Sequence, residues 1–135
     1  MRHVLVVTAA LGLPVALAAQ VKPALTARDY GKWESPGAAL LSPDGQWLAY
    51  AINRVNEENE LRLRPVVRDT TIVIANASGA SFTPDSRWLA FTIGVPPATR
   101  ERLERERKPI RNSAGLFNLG TSKVDSVADV MSFRF

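Results

Sequence analysis

From residue 38 to residue 129, apolar positions fall in short runs parted by turn-forming clusters, a spacing that predicts strands. Ala38 to Leu41 is a short apolar strand, and Ser42-Pro43-Asp44-Gly45 is a type I turn sequence. Trp47 to Ile52 follows as a second strand. Its alternate residues form two sets, Trp47, Ala49 and Ala51 against Leu48, Tyr50 and Ile52. Both sets are apolar, so both faces are expected to be covered, and the alanines would let a neighbouring sheet come close. Asn53 to Asn59 is polar and turn-like. Leu61 and Leu63 alternate with Arg62 and Arg64, which predicts a half-exposed third strand ending at Pro65. Thr70 to Ala75 is β-branched and predicts a fourth.

The pattern then starts again. LSPDGQWLAY, residues 41–50, returns 41 residues later as FTPDSRWLAF, residues 82–91, with five of ten positions identical. Ala80 to Phe82 and Trp88 to Ile93 are the matching strands, and Ser86 stands where the first copy has Gly45. A serine in the left-handed region is strained, so this turn is expected to carry strain or change geometry. The second copy is interrupted at 95–111 by a charged insert compatible with a helix. Within it, Glu101 with Arg105 and Glu104 with Lys108 have the spacing of intrahelical ion pairs, and Leu103 is the only large apolar residue of the helical part. Gly115 to Leu119 and Val124 to Val127 complete four strands, joined by the turn Gly120 to Lys123.

Four short strands per repeat of about 40 residues is the signature of a β-propeller blade. The expected class is all-β, a partial β-propeller. Blade 1 spans 38–78, blade 2 spans 79–129 including the insert, and 130–135 resembles the first strand of a third blade. Phe135 would occupy the place held by Leu41 and Phe82. A propeller typically needs about four to eight blades, so the chain reads as the front of a longer protein. A short protein that assembles its ring from several copies is the other way to complete the fold, and the oligomeric state is not given by the sequence.

The segment before the repeats divides in two. Residues 1–19 read as a signal peptide, with Arg2, an apolar stretch from Val4 to Val15 and the small-x-small pattern Ala16-Leu17-Ala18. Cleavage after Ala18 or Ala19 would send the product to the periplasm or outside the cell, with no membrane attachment. Residues 20–37 form an N-terminal arm, in which Thr26 to Tyr30 suit one helical turn and Trp33 is expected to pack against the first strands.

Composition narrows the chemistry. The chain has no cysteine, and its one histidine, His3, lies in the leader. That excludes a self-contained Ser-His-Asp or Cys-His centre and a conventional zinc site in the mature chain. The formal charge is +4; once Arg2 leaves with the leader, residues 100–111, with six basic and three acidic groups, hold all of the excess. The rest is near neutral, which does not suit nucleic acid.

Each remaining candidate has a plain structural role. Asp44 and Asp85 could be metal ligands, but the turn accounts for both. Glu57-Glu58 could receive an ammonium group, yet an exposed acidic pair usually only solvates a loop. Asn76-Ala77-Ser78 is a formal glycosylation sequon. Trp47 and Trp88 recur as blade packing demands. No catalytic, cofactor-binding or metal-binding residue is assigned, and no cofactor is expected.

With these features together, the chain resembles the N-terminal propeller of secreted bacterial serine peptidases of the prolyl oligopeptidase and dipeptidyl-peptidase type. The resemblance rests on TARDYGKWES, INRVNEENELRLR, TPDSRWLAF, the charged insert and GLFNLGTSKV, which together cover nearly all of the mature chain. It implies a propeller set over an α/β-hydrolase domain, limiting which peptides reach a serine in a distant G-x-S-x-G elbow. No such pentapeptide occurs here, and Glu57-Glu58 lacks the family's surrounding glutamate motif, so no catalytic or amine-binding residue carries over. What the resemblance implies is a noncatalytic segment that gates or scaffolds substrate access, with peptide as partner only through a downstream hydrolase domain. A periplasmic binding propeller with no enzyme attached is the alternative.

Overall fold

A computed structural model describes residues 24–130 of the chain. The expected signal peptide, 1–19, and all but the first residue of the expected third-blade strand, 130–135, lie outside the described residues. Within them stand two four-stranded antiparallel meanders. One has the order β1-β2-β3-β4 and the other β5-β6-β7-β8, each in chain sequence. The first comprises β1 (Glu34–Leu41), β2 (Trp47–Arg54), β3 (Glu60–Pro65) and β4 (Ile72–Ala75). The second comprises β5 (Ala77–Phe82), β6 (Trp88–Ile93), β7 (Ser113–Asn118) and β8 (Lys123–Val127). A single turn of helix, α1 (Ala27–Tyr30), precedes them, and α2 (Pro97–Arg105) bridges β6 and β7.

The strands fall close to where the apolar runs place them, with two extensions at sheet edges. β1 begins at Glu34, so Glu34 to Gly37, read above as arm, belong to the sheet. Pro36 is tolerated because β1 is an edge strand and the missing N–H removes no ladder bond from the far side. A bulge between Pro36 and Ala39 absorbs the irregularity. β5 likewise begins at Ala77, three residues before Ala80, and has a bulge between Ser78 and Ser81. Trp33 lies beside the paired ends of β1 and β2, where it lines a shallow pocket with Ser35 and Asn53. It is not buried there: it is 49% exposed and meets Tyr30 at a tilt of 46°, with ring centroids 4.6 Å apart.

Register shows how the sheets meet. Ala49 lies opposite Leu63, Ala51 opposite Leu61, and Leu63 and Leu61 lie opposite Ile72 and Ile74. With Trp47 these residues form the forward face of the first sheet. In the second sheet Leu89 lies opposite Phe82 and Phe117, Phe91 opposite Gly115, and Ile93 opposite Ala77. These form its rear face. The core joins the two faces: Ala49, Leu61 and Leu63 cluster with Ala77, Leu89, Phe91, Phe117 and Leu119. Trp47 meets Phe117 edge to face across the junction, with centroids 5.9 Å apart. The small side chains of β2 therefore do admit the next sheet.

Each sheet thus offers a Trp-Ala face forward, and the Leu-aromatic rear face of the second packs on the first. One such pairing is made between the sheets. The forward face of the second sheet repeats the first, with Trp88, Ala90 and Leu116 in the places of Trp47, Ala49 and Leu63. Leu63 is fully buried, whereas Leu116 is partly exposed; Trp88 is partly exposed as Trp47 is, and Ala90 is buried as Ala49 is.

The insert folds as the charge pattern suggests in part. α2 buries no residue, and Pro97 opens it at a position suited to proline. It ends in a Schellman motif: Arg107 N–H donates to Glu104 C=O at 3.0 Å and Lys108 N–H to Leu103 C=O at 2.9 Å. Arg107 takes the left-handed conformation, with φ 53°. That early stop leaves Lys108 beyond the helix, where it pairs with Glu106 at 2.8 Å in place of Glu104.

Candidate functional site

The two repeated turns are built alike. Ser42 C=O accepts from Gly45 N–H at 2.8 Å, and Ser42 N–H donates to Trp47 C=O at 2.8 Å. The Ser42 hydroxyl donates to Asp44 Oδ1 and accepts from Trp47 N–H at 2.9 Å, while Gln46 N–H reaches Asp44 Oδ1 at 3.1 Å. Thr83, Asp85, Arg87 and Trp88 repeat this network. Hydrogen bonds from Ser42 and then Gln46 hold the Asp44 carboxyl below its ordinary range, and those from Thr83 and Arg87 do the same for Asp85. In both turns the hydrogen bonds converge on one carboxyl oxygen, Oδ1. Among the described residues, no three His, Cys, Asp or Glu side chains converge as a metal site.

Ser86 keeps the geometry of Gly45, with φ 54° against 71°. Its hydroxyl accepts a hydrogen bond from Asp44 N–H at 3.0 Å, tying one turn to the other.

The structure separates Glu57 from Glu58. Glu57 Oε2 receives Arg100 Nη1 of α2 at 2.7 Å, so the insert reaches back to the hairpin of the preceding sheet. Glu58 Oε2 accepts from Asn56 Nδ2 at 2.8 Å. The two carboxylates do not converge on a common ligand. Asn76 sits in the β4–β5 connection with φ 55°, its N–H donated to Asn59 C=O at 2.8 Å and its C=O accepting from Gly94 N–H at 2.7 Å.

The rear face of the first sheet carries an ion cluster that sequence reading missed. Glu60 is buried, and its carboxylate takes Arg54 Nη1 at 2.9 Å and Arg62 Nε at 2.6 Å. Arg54 Nη2 also reaches Glu34 at 2.6 Å, and Arg62 Nη2 reaches it at 3.4 Å. Hydrogen bonding to Arg54, more than offsetting burial, holds the Glu60 carboxyl below its ordinary range. Arg62 lies where the second sheet has Gly115, which makes the two rear faces chemically unlike.

A cavity of about 350 Å³ opens at one end of the junction. Trp47, Ile72 and Leu119 wall it, and Gln46, Arg68, Thr70 and Ser122 line its polar side. They come from the β1–β2 turn, the β3–β4 loop and the β7–β8 turn. Their sequence spacing carries no periodic signal, and only the stacking of two sheets brings them together.

No family model and no curated relative matches the chain. Among solved structures, an acylaminoacyl peptidase in complex with Z-Gly-Gly-Phe-chloromethyl ketone aligns over 78% of this chain, with a TM-score of 0.55 and 17% identity. The Pyrococcus horikoshii acylaminoacyl peptidase aligns over 78%, with a TM-score of 0.52 and 15% identity. The likeness is one of fold. This chain spans 16% and 15% of the lengths of those two chains.

Proposed function

We propose that these two sheets are successive blades of a β-propeller that walls and filters the approach to the active site of an exported serine peptidase, and that they carry none of its catalytic groups. One observation supports the reading above the others. Both sheets carry a Trp-Ala forward face, the first sheet's receives the Leu-aromatic rear face of the second, and among the described residues no further sheet lies on the second's. That is a unit made to be stacked. Its fold likeness to acylaminoacyl peptidases supports the enzyme class, and the signal-like pattern of residues 1–19 supports export. The mechanism is steric: stacked blades limit which peptides pass, and bond cleavage occurs on a separate domain.

The test is an antibody raised against the β2–β3 hairpin, used on native host extract treated with a fluorophosphonate probe for active serines. The polypeptide recovered is expected to be labelled and found in the exported fraction. Recovery of an unlabelled polypeptide, with no labelled serine hydrolase bound to it, would overturn the reading in favour of a binding propeller.

A further inference from the structure

We propose that the cavity between the two sheets binds an apolar carboxylate, with the hydrocarbon against Trp47 and Ile72 and the carboxylate on Arg68. The site stands apart from the peptidase reading, since it is built wholly from the two sheets. Its volume of about 350 Å³ falls in the range of small-ligand sites, roughly 300–1,000 Å³. Trp47 is fixed from behind by Phe117, so one wall is a rigid aromatic surface. Val67 stands at the lip with 89% of its surface exposed, an apolar side chain with nothing of its own to cover.

The polar side of the cavity selects the ligand. Among the described residues, Arg68 is the only charged residue lining it, and no acidic group lines it. Its neighbour Asp69 turns instead to Arg64, 3.2 Å away. Among the described residues, no side-chain hydrogen bond within the protein engages Gln46, Arg68, Thr70 or Ser122. A guanidinium beside neutral donors and an apolar wall fits one negative charge on a hydrophobic body. A cation would meet no counter-charge. Two sources offer this chemistry, the C-terminal residue of a peptide and a free short-chain acid.

The experiment titrates the isotope-labelled 135-residue chain with N-acetyl-leucine, N-acetyl-leucinamide and 4-methylpentanoate, following backbone amide shifts. The acids are expected to move Gln46, Val67, Arg68, Thr70 and Gly120, with the amide at least about tenfold weaker than N-acetyl-leucine. Tighter binding of N-acetyl-leucine than of 4-methylpentanoate assigns the site to peptide termini, and the reverse order assigns it to free acids. Arg68 is exposed, so Arg68→Gln should leave the spectrum native and abolish the preference for acid over amide. Equal binding of acid and amide, shifts centred elsewhere, or no saturable shift to about 20 mM would overturn the proposal.

Discussion

The backbone N–H of Asp44 donates to the hydroxyl of Ser86 across 3.0 Å, so the two copies of the repeated turn hold each other. This relationship gives a reason for the one non-conservative change within the turn. A serine in the left-handed region is less favourable than glycine. Its hydroxyl returns part of that as a bond between the two sheets' turns. Ser86→Ala keeps the strain and loses the acceptor, and is expected to lower stability by about 0.5–1.5 kcal/mol. Ser86→Gly relieves the strain as it loses the bond and should cost less than the alanine. Urea unfolding of the three proteins checks the order, and an alanine variant no less stable than the glycine one would refute it.

Phe91 lies directly across from Gly115, and a Cβ on Gly115 would overlap its ring. Both residues are buried in the junction. Gly115→Ala is therefore expected to destabilise by about 1–3 kcal/mol through overpacking. Phe91→Leu in the same chain should cost less in the Gly115→Ala background than alone, a coupling visible in a double-mutant cycle. Additive effects would mean that the ring and the glycine do not meet.

Register makes Leu63 and Leu116 equivalent, but among the described residues only Leu63 is covered by another sheet. Leu63→Ala should cost about 2–4 kcal/mol, as for a filled core site. Leu116→Ala should cost less, about 1–2 kcal/mol, because its side chain is already partly exposed. Equal losses by thermal or denaturant melting would contradict the forward-face assignment.

Acid should weaken the rear-face cluster. The folded-state Glu60 carboxyl is depressed below its ordinary value of 4.5, first by Arg54. Such a group contributes stability that is complete above its unfolded value and is lost as pH falls through the folded one. Stability should hold from neutral pH to about 5 and then decline. Glu60→Gln should be less stable at neutral pH and show a shallower acid decline. An unchanged acid limb in that variant would place the lability elsewhere, in the hydrogen-bonded Asp29, Asp44 or Asp85.

Much of this architecture is legible in the chain because a strand's faces alternate with period two. Trp47-Leu48-Ala49-Tyr50 and its echo at Trp88 disclose both faces and the repeat, and Ser42 to Gly45 discloses the turn. The early start of β1 is not legible, since Pro36 and Gly37 read as breakers and are tolerated only at an edge. Local spacing also misdirects in the insert. It pairs Glu104 with Lys108, but Arg107 ends the helix first, and Arg100 finds Glu57 43 residues away. The Glu60 cluster and the cavity joined by Gln46, Arg68 and Ser122 depend on register and stacking, which no local pattern encodes.

The account turns on the forward face of one sheet receiving the rear face of the next, and the contact between Trp47 and Phe117 reports it most directly. Proton–proton cross-relaxation of the Trp47 indole should show the Phe117 ring, given their 5.9 Å centroid separation. Indole cross-peaks confined to residues of Trp47's own sheet would contradict the stacking and the propeller reading that depends on it.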